Sequence, residues 1–265
     1  MSETAASLAQ LARNPLREKL ARGELVASMT VRMSRGPEIG RIAAAAGFDS
    51  LYVDLEHSVL SLESTALVCT VAREAGVVPL VRVPALDAAL IGRVLDAGAM
   101  GIIAPQIESA ADARLAVACC RYPPRGQRSM ATKLPLLHYR RFDTAQACEA
   151  LDGSVFIAAM AETAAGLDSA AEIAAVEGVD MLLVGAQDLG ASLGSPPGDE
   201  PIAAAFSRVL DAARAAGKHV GAGGIAGRTE LLQRLIGQDV RYVSTGTDLA
   251  FLLAGARAAR QSVGS

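Results

Sequence analysis

Short apolar runs alternate with Ala-rich amphipathic stretches along the whole chain. Eight runs have the length of buried strands: 25–30 (LVASMT), 50–54 (SLYVD), 78–83 (VPLVRV), 100–105 (MGIIAP), 154–160 (SVFIAAM), 181–185 (MLLVG), 219–222 (HVGA) and 241–245 (RYVST). Helical stretches lie between them, at 36–47, 61–75, 87–97, 109–120, 201–216 and 226–237. Strand-then-helix alternation predicts a parallel sheet, and eight repeats predict that it closes into a barrel. The phrases AAGFDSLYVD, DAGAMGIIAP, VEGVDMLLVG and IGQDVRYVST share one form, in which a helix ends at Gly or a polar turn and a strand begins. The expectation is a single (β/α)8 barrel domain (a TIM barrel) over residues 1–265, with an N-terminal extension at 1–22 that packs on a neighbouring subunit.

One connection is longer than the rest. Residues 121–153 separate the fourth and fifth strands, and they begin RYPPRGQRSMATKLPLLHYRRF. That stretch is rich in arginine and proline. Long loops in compact domains are commonly functional lids, so this one is expected to cover the catalytic mouth as an active-site lid.

Composition narrows the class. Hydrophobic residues make up 51% of the 265 and aromatic residues 3%, so the core is built from Val, Ile, Leu and Ala, as in buried parallel sheets. Charged residues or glycines break every apolar run before roughly 18 residues accumulate, so no membrane span is expected. The net charge is −3 and no basic stripe is present, which argues against nucleic-acid binding. The first residues, MSETAASLAQ, hold an early acid and no apolar stretch, unlike a secretion signal. Cys69, Cys119, Cys120 and Cys148 show no C-x2-C spacing. They read as free thiols of a cytoplasmic protein.

In barrels of this kind, catalytic groups sit at the C-terminal ends of strands. That rule selects Asp54, Glu56 and His57 after strand 2, Arg82 at the end of strand 3, Glu162 after strand 5, and Gly185, Ala186, Gln187 and Asp188 after strand 6. Glu162 and Asp188 follow consecutive strands. Two such carboxylates bind Mg2+ or Mn2+ with water and substrate oxygens; equally, they act as helix N-terminal acids. Arg82 fits a structural ion pair or a substrate carboxylate. His57 fits a proton-transfer role, with an acid such as Asp96 fixing its tautomer, or a plain exposed position. The run 221–227 (GAGGIAG) fits a phosphate cradle or a tight turn.

The ordered motifs AGFDSLYVDLEHS, PLVRVP, VLDAGAMGIIAP, RYPPRGQRS, MAETAAGLDSAAEIAAVEGVD and VGAQDLGASLG resemble the HpcH/HpaI family. These are class II, metal-dependent 2-oxo acid aldolases related to the citrate lyase beta subunit. The resemblance covers roughly residues 23–257. It implies that Glu162 and Asp188 ligate a divalent cation (Mg2+, Mn2+ or Co2+) and that Arg82 binds pyruvate. It also implies that His57 is catalytic with Asp96 as partner, and that Asp54 and Glu56 support the site. Backbone around Gly185, Ala186 and Gln187 is expected to help hold the oxo acid.

The chain departs from the better-known aldolases at Met160, where they carry Gln, and at Ala186-Gln187, where they carry Pro-Ala. It departs again at Ser129, where they carry Gly, and at Arg32 and Arg35 after strand 1. The implied activity is an aldolase, a carbon–carbon lyase that makes or cleaves 4-hydroxy-2-oxo acids through a pyruvate-type enolate and an aldehyde. The expected partners are those small molecules and further copies of the chain in a trimer or hexamer. A metal-dependent 2-oxo acid decarboxylase or acyl-CoA lyase on the same site, and a non-catalytic metabolite-binding barrel, are the alternative readings.

Overall fold

The structure is a computed structural model and describes residues 3–131, 133–194 and 198–263. Met1 and Ser2 of the N-terminal extension and Thr132 of the long connection lie outside the described residues. Eight parallel strands close into one barrel in sequence order. They are β1 (Val26–Val31), β2 (Ser50–Asp54), β3 (Val78–Arg82), β4 (Gly101–Ala104), β5 (Phe156–Ala161), β6 (Met181–Gly185), β7 (His219–Gly223) and β8 (Tyr242–Thr247). All eight expected strands form.

The helices are α1 (Glu3–Leu11), α2 (Pro15–Ala21), α3 (Glu38–Ala45), α4 (Leu62–Glu74), α5 (Ala88–Asp96), α6 (Ala110–Cys120), α7 (Thr144–Ser154), α8 (Ala164–Asp168), α9 (Ala170–Ala174), α10 (Ala186–Ser192), α11 (Asp199–Ala215), α12 (Thr229–Gly237) and α13 (Asp248–Ser262). Side-chain oxygens cap several helix starts: Ser61 for α4, Asp87 for α5, Ser109 for α6 and Thr163 for α8.

Two apolar layers hold the fold. One lies between strands and helices and includes Leu51, Val53, Val81, Ile102, Ile157 and Val184. The other fills the barrel interior and its floor, with Tyr52, Leu80, Ile103, Phe156, Met160, Leu183 and Tyr242. Successive residues along β2, β3 and β5 enter these layers alternately, as the period of two requires.

The floor is closed by the chain's own N-terminal helices. Leu8, Leu16 and Leu20 are buried against Val26, Val78, Met100 and Phe156. Asn14 caps α2 and donates from its side chain to the Ser154 carbonyl at 2.7 Å. Arg17 pairs with Asp180. The extension expected on a neighbouring subunit thus packs, within the chain, on its own barrel.

The long connection also belongs to the floor. Helix α6 intervenes after β4 and returns the chain to the N-terminal ends of the strands. Residues 121–153 start there, and Tyr122, Leu134, Leu136 and Leu137 bury in the floor layer. Arg73 donates to the Leu136 carbonyl at 2.8 Å. Within the chain this segment therefore lies at the floor and away from its own barrel's mouth, where a lid was expected. Its arginines serve the floor: Arg125 pairs with Asp152 at 3.2 Å, and Arg128 pairs with Asp96 at 2.7 Å above the Tyr122 ring.

Candidate active site

Alternation along the strands decides which side chains reach the mouth. Inward positions step by two: Tyr52 then Asp54 on β2, Leu80 then Arg82 on β3, and Met160 then Glu162 past the end of β5. Each apolar interior run thus ends in a charge at the C-terminal rim. Register places Asp54 beside Arg82. It places Val31 beside Val53, so one step further brings Arg32 to Asp54.

Asp54 is fully buried and is the hub of this cluster. It accepts Arg82 Nε on Oδ1 at 2.9 Å and Arg82 Nη2 on Oδ2 at 2.5 Å. Arg32 Nε reaches Oδ2 at 2.6 Å, and the backbone N–H groups of Glu56 and His57 reach Oδ1 at 3.1 and 3.2 Å. Burial alone would raise the Asp54 pKa, but the hydrogen bonds and charge of Arg82 hold it below the usual range. Arg82 Nη1 meets Glu56 Oε2 at 2.8 Å, and its guanidinium lies over the Tyr52 ring at 5.3 Å. The two buried charges sustain each other; either left alone would be strongly destabilising.

Glu162 is the other buried charge. Its Oε1 accepts the Gln106 N–H at 2.8 Å, while Oε2 is buried with no hydrogen-bond partner among the described residues. Burial, with Asp188 and Glu56 nearby, pushes its pKa up to about 6. Gln106 presents its N–H from a left-handed φ of 50°, a conformation that costs a non-glycine residue roughly 1–3 kcal/mol and that clusters at functional sites. Gly185 is required beside it, because a Cβ there would stand 2.8 Å from Glu162 Oε2. Ala186, Gln187 and Asp188 form the first turn of α10, and Asp188 is exposed.

A buried carboxylate oxygen without a partner, next to a second, accessible carboxylate, is a donor set suited to a hard divalent cation. No cluster of three or more His, Cys, Asp or Glu side chains able to hold a metal occurs among the described residues. A cation there would meet Glu162 and Asp188, with waters or substrate oxygens completing its shell.

The cavity between these groups has a volume of about 190 Å3 and is lined by Arg32, Tyr52, Arg82, Met160, Gly185 and Asp188, among others. Thr30, Ser244 and Thr247 also line it. Sequence reasoning passed over Thr30 and Tyr52, although both share the inward register of Asp54. In place of the family glutamine, Met160 offers its sulfur to the Tyr52 hydroxyl at 3.7 Å.

His57 lies on the loop after β2, half-exposed, with Nε2 3.8 Å from Glu56 Oε2. Asp96 is not its partner within the chain. It ends α5 at the opposite end of the barrel, where it binds Arg128. The glycine run forms a turn, with positive φ at Gly224 and Gly227. Gly223 and Gly224 line the same cavity.

The model of the HpcH/HpaI aldolase/citrate lyase family matches residues 29–254. The chain belongs to this family. Among its relatives is the 4-hydroxy-4-methyl-2-oxoglutarate aldolase of Chaetomium globosum, 42% identical over 224 residues and covering 82% of each chain. The hydroxypyruvate/pyruvate aldolase of Cupriavidus necator is 30% identical over 93% of this chain and 91% of its own. Among solved structures, the HpcH/HpaI aldolase of Desulfitobacterium hafniense superposes with a TM-score of 0.87 at 28% identity, covering 94% of this chain and 96% of that one. Membership makes the chain a carbon–carbon lyase of the 2-oxo acid aldolase class.

Proposed function

We propose that this aldolase cleaves and forms 4-hydroxy-2-oxo acids with a divalent cation (Mg2+, Mn2+ or Co2+) held by Glu162 and Asp188. The observation that carries the reading is the buried, unpartnered Oε2 of Glu162 next to Asp188. An ionised carboxylate oxygen is too costly to bury unpaired unless a cation or proton meets it. When bound, the cation supplies positive charge against the C2 oxygen as enolate character develops there.

The chain's own residues do the rest. Asp54 locks Arg82 in place, so its charge stands fixed at the cavity wall rather than reorganising during reaction. The Gly185–Asp188 turn brings backbone close to the bound oxo acid. His57 moves the proton of the C4 hydroxyl, and Glu56 is the acid nearest to it. Tyr52 and Met160 form an apolar floor that limits water at the reacting carbons. The aldehyde or ketone half leaves toward the open mouth.

The protein works in the cytoplasm as a homo-oligomer on this reading. Its four cysteines are free and no described helix is long and apolar enough to cross a membrane. Helix α13 buries only Asp248 on its own chain and exposes Leu249, Phe251, Leu252 and Leu253, a face suited to a second copy.

The test is deuterium exchange into the methyl group of pyruvate in D2O, followed by NMR with Mg2+, Mn2+ or Co2+. Exchange is expected in the native protein and is expected to disappear with EDTA, Glu162→Ala or Asp188→Ala. Exchange that persists in EDTA would overturn the assignment.

A further inference from the structure

Tyr52 on β2 and Tyr242 on β8 both point into the barrel, and their hydroxyls fare differently. Tyr242 is satisfied: its hydroxyl donates to Ser28 Oγ at 2.9 Å. Tyr52 is only 5% exposed, and among the described residues its hydroxyl has a single partner, the Met160 sulfur at 3.7 Å. A thioether is a weak acceptor, and a buried hydroxyl so poorly matched costs stability. Burial also raises the phenol well above the ordinary tyrosine range, so the group stands as a neutral O–H donor.

This hydroxyl lies beneath the candidate cation site. Tyr52 extends from β2 across the interior to Met160 on β5. Met160 and Glu162 are successive inward positions, so the hydroxyl sits about one inward step below the Glu162 carboxylate. Gly185 fixes the relation: a Cβ there would stand 2.8 Å from Glu162 Oε2 and 3.1 Å from Met160 Cε. The orphaned carboxylate oxygen and the Met160 tip thus flank one bare glycine, and Tyr52, Met160 and Gly185 line the same cavity. Packing does not account for the hydroxyl. A phenylalanine would offer the same ring to the Arg82 guanidinium, which lies 5.3 Å from its centre. The ring belongs to the apolar floor, and what the oxygen adds is a donor at the bottom of the cavity.

We propose that the Tyr52 hydroxyl donates a hydrogen bond to the C2 oxygen of the bound 2-oxo acid, the oxygen on which negative charge develops. The proton stays on Tyr52 throughout, so no bond to it forms or breaks. The donor is in place before the charge appears and needs no reorganisation when it does. Such a bond contributes little against a neutral ketone. It contributes more against an oxyanion, because charge-assisted hydrogen bonds are roughly twice as strong. Tyr52 therefore stabilises the enolate more than the substrate.

The proposal rests on the aldolase reading for the placement of the oxo acid, and its test reads binding as well as turnover. The probes are pyruvate and oxalate. They share one carboxylate, and oxalate carries an anionic oxygen where pyruvate has its C2 oxygen. Both are titrated by calorimetry into the full chain supplemented with Mn2+. Tyr52→Phe keeps the ring and removes the oxygen. It is expected to weaken oxalate about 30-fold and pyruvate about threefold, the scales of a charge-assisted and a neutral hydrogen bond. In pyruvate methyl exchange, kcat is expected to fall about tenfold while KM rises about threefold. A hydroxyl that only packs on Met160 would leave the ratio of the two affinities unchanged.

Equal losses for the two probes would put the hydroxyl on the shared carboxylate or away from the ligand, and would overturn the proposal. So would no loss for either probe, or a native protein that binds no oxalate. Should Tyr52→Phe fail to fold, Tyr52→Leu takes its place, and an unchanged ratio of oxalate to pyruvate affinity there overturns the proposal. The aldolase reading fails separately, by absence of methyl exchange in the native protein, so the two failures are distinguishable.

Discussion

Glu162 shows how much one side chain's surroundings decide. Burial pushes its pKa from the ordinary 4.5 up to about 6. Between those values the native carboxyl keeps a proton that the unfolded chain has released, so the metal-free protein loses stability as pH rises through that window. A cation must expel the same proton. The expected outcome is a Mn2+ affinity that is flat above about pH 6 and weakens roughly tenfold per unit below it. Calorimetric titration from pH 5 to 8 checks this. Glu162→Gln, which cannot titrate, should remove the slope along with most of the affinity, and a flat profile in the native protein would contradict the role. From the sequence, Glu162 was an acid after an apolar strand, one that the family resemblance marks as a cation ligand. Its orphaned oxygen was not legible there, because that depends on Gln106 adopting a left-handed backbone to satisfy the other oxygen. Asp96 shows the same limit: nothing in its local pattern says that Arg128, distant in sequence, pairs with it within the chain.

At the scale of elements, the strands were legible because each is a buried apolar run with a polar stop, and the closed ring requires every one of them. What failed was the placement of connections. A segment after a strand opens on the mouth, whereas a segment after a helix opens on the floor, and 121–153 follows α6. Helices α1 and α2 were passed over as an extension, since their apolar residues are few and their partner surface, the floor of the barrel, has no local signature. Leu20 gives this a test. It is 2% exposed and packs among floor residues such as Val26 and Phe156. Leu20→Ala should cost about 2–5 kcal/mol in urea unfolding while pyruvate methyl exchange continues, because the floor is remote from the charged rim. Unchanged stability would show that the extension does not close its own barrel.

For the whole molecule, α13 carries the argument from one chain to several. Fourteen of its fifteen residues stay exposed on the single chain, with Leu252 at 60%. Helices in water draw most of their stability from a packed apolar face, so this one needs a surface that its own barrel does not supply. Its root is nevertheless tied to the active site: Asp248, the first residue, holds the loop that carries Arg32. An oligomer built through α13 would therefore brace the mouth as well as bury leucines. Leu252→Asp puts a charge into that contact while leaving the isolated chain within about 0.5 kcal/mol of its native stability, as for an ordinary surface substitution. Analytical ultracentrifugation should then show the native protein as an oligomer and the variant as a smaller species. A native protein that sediments as a monomer at micromolar concentration would remove α13 from any assembly role and leave its apolar face without a partner.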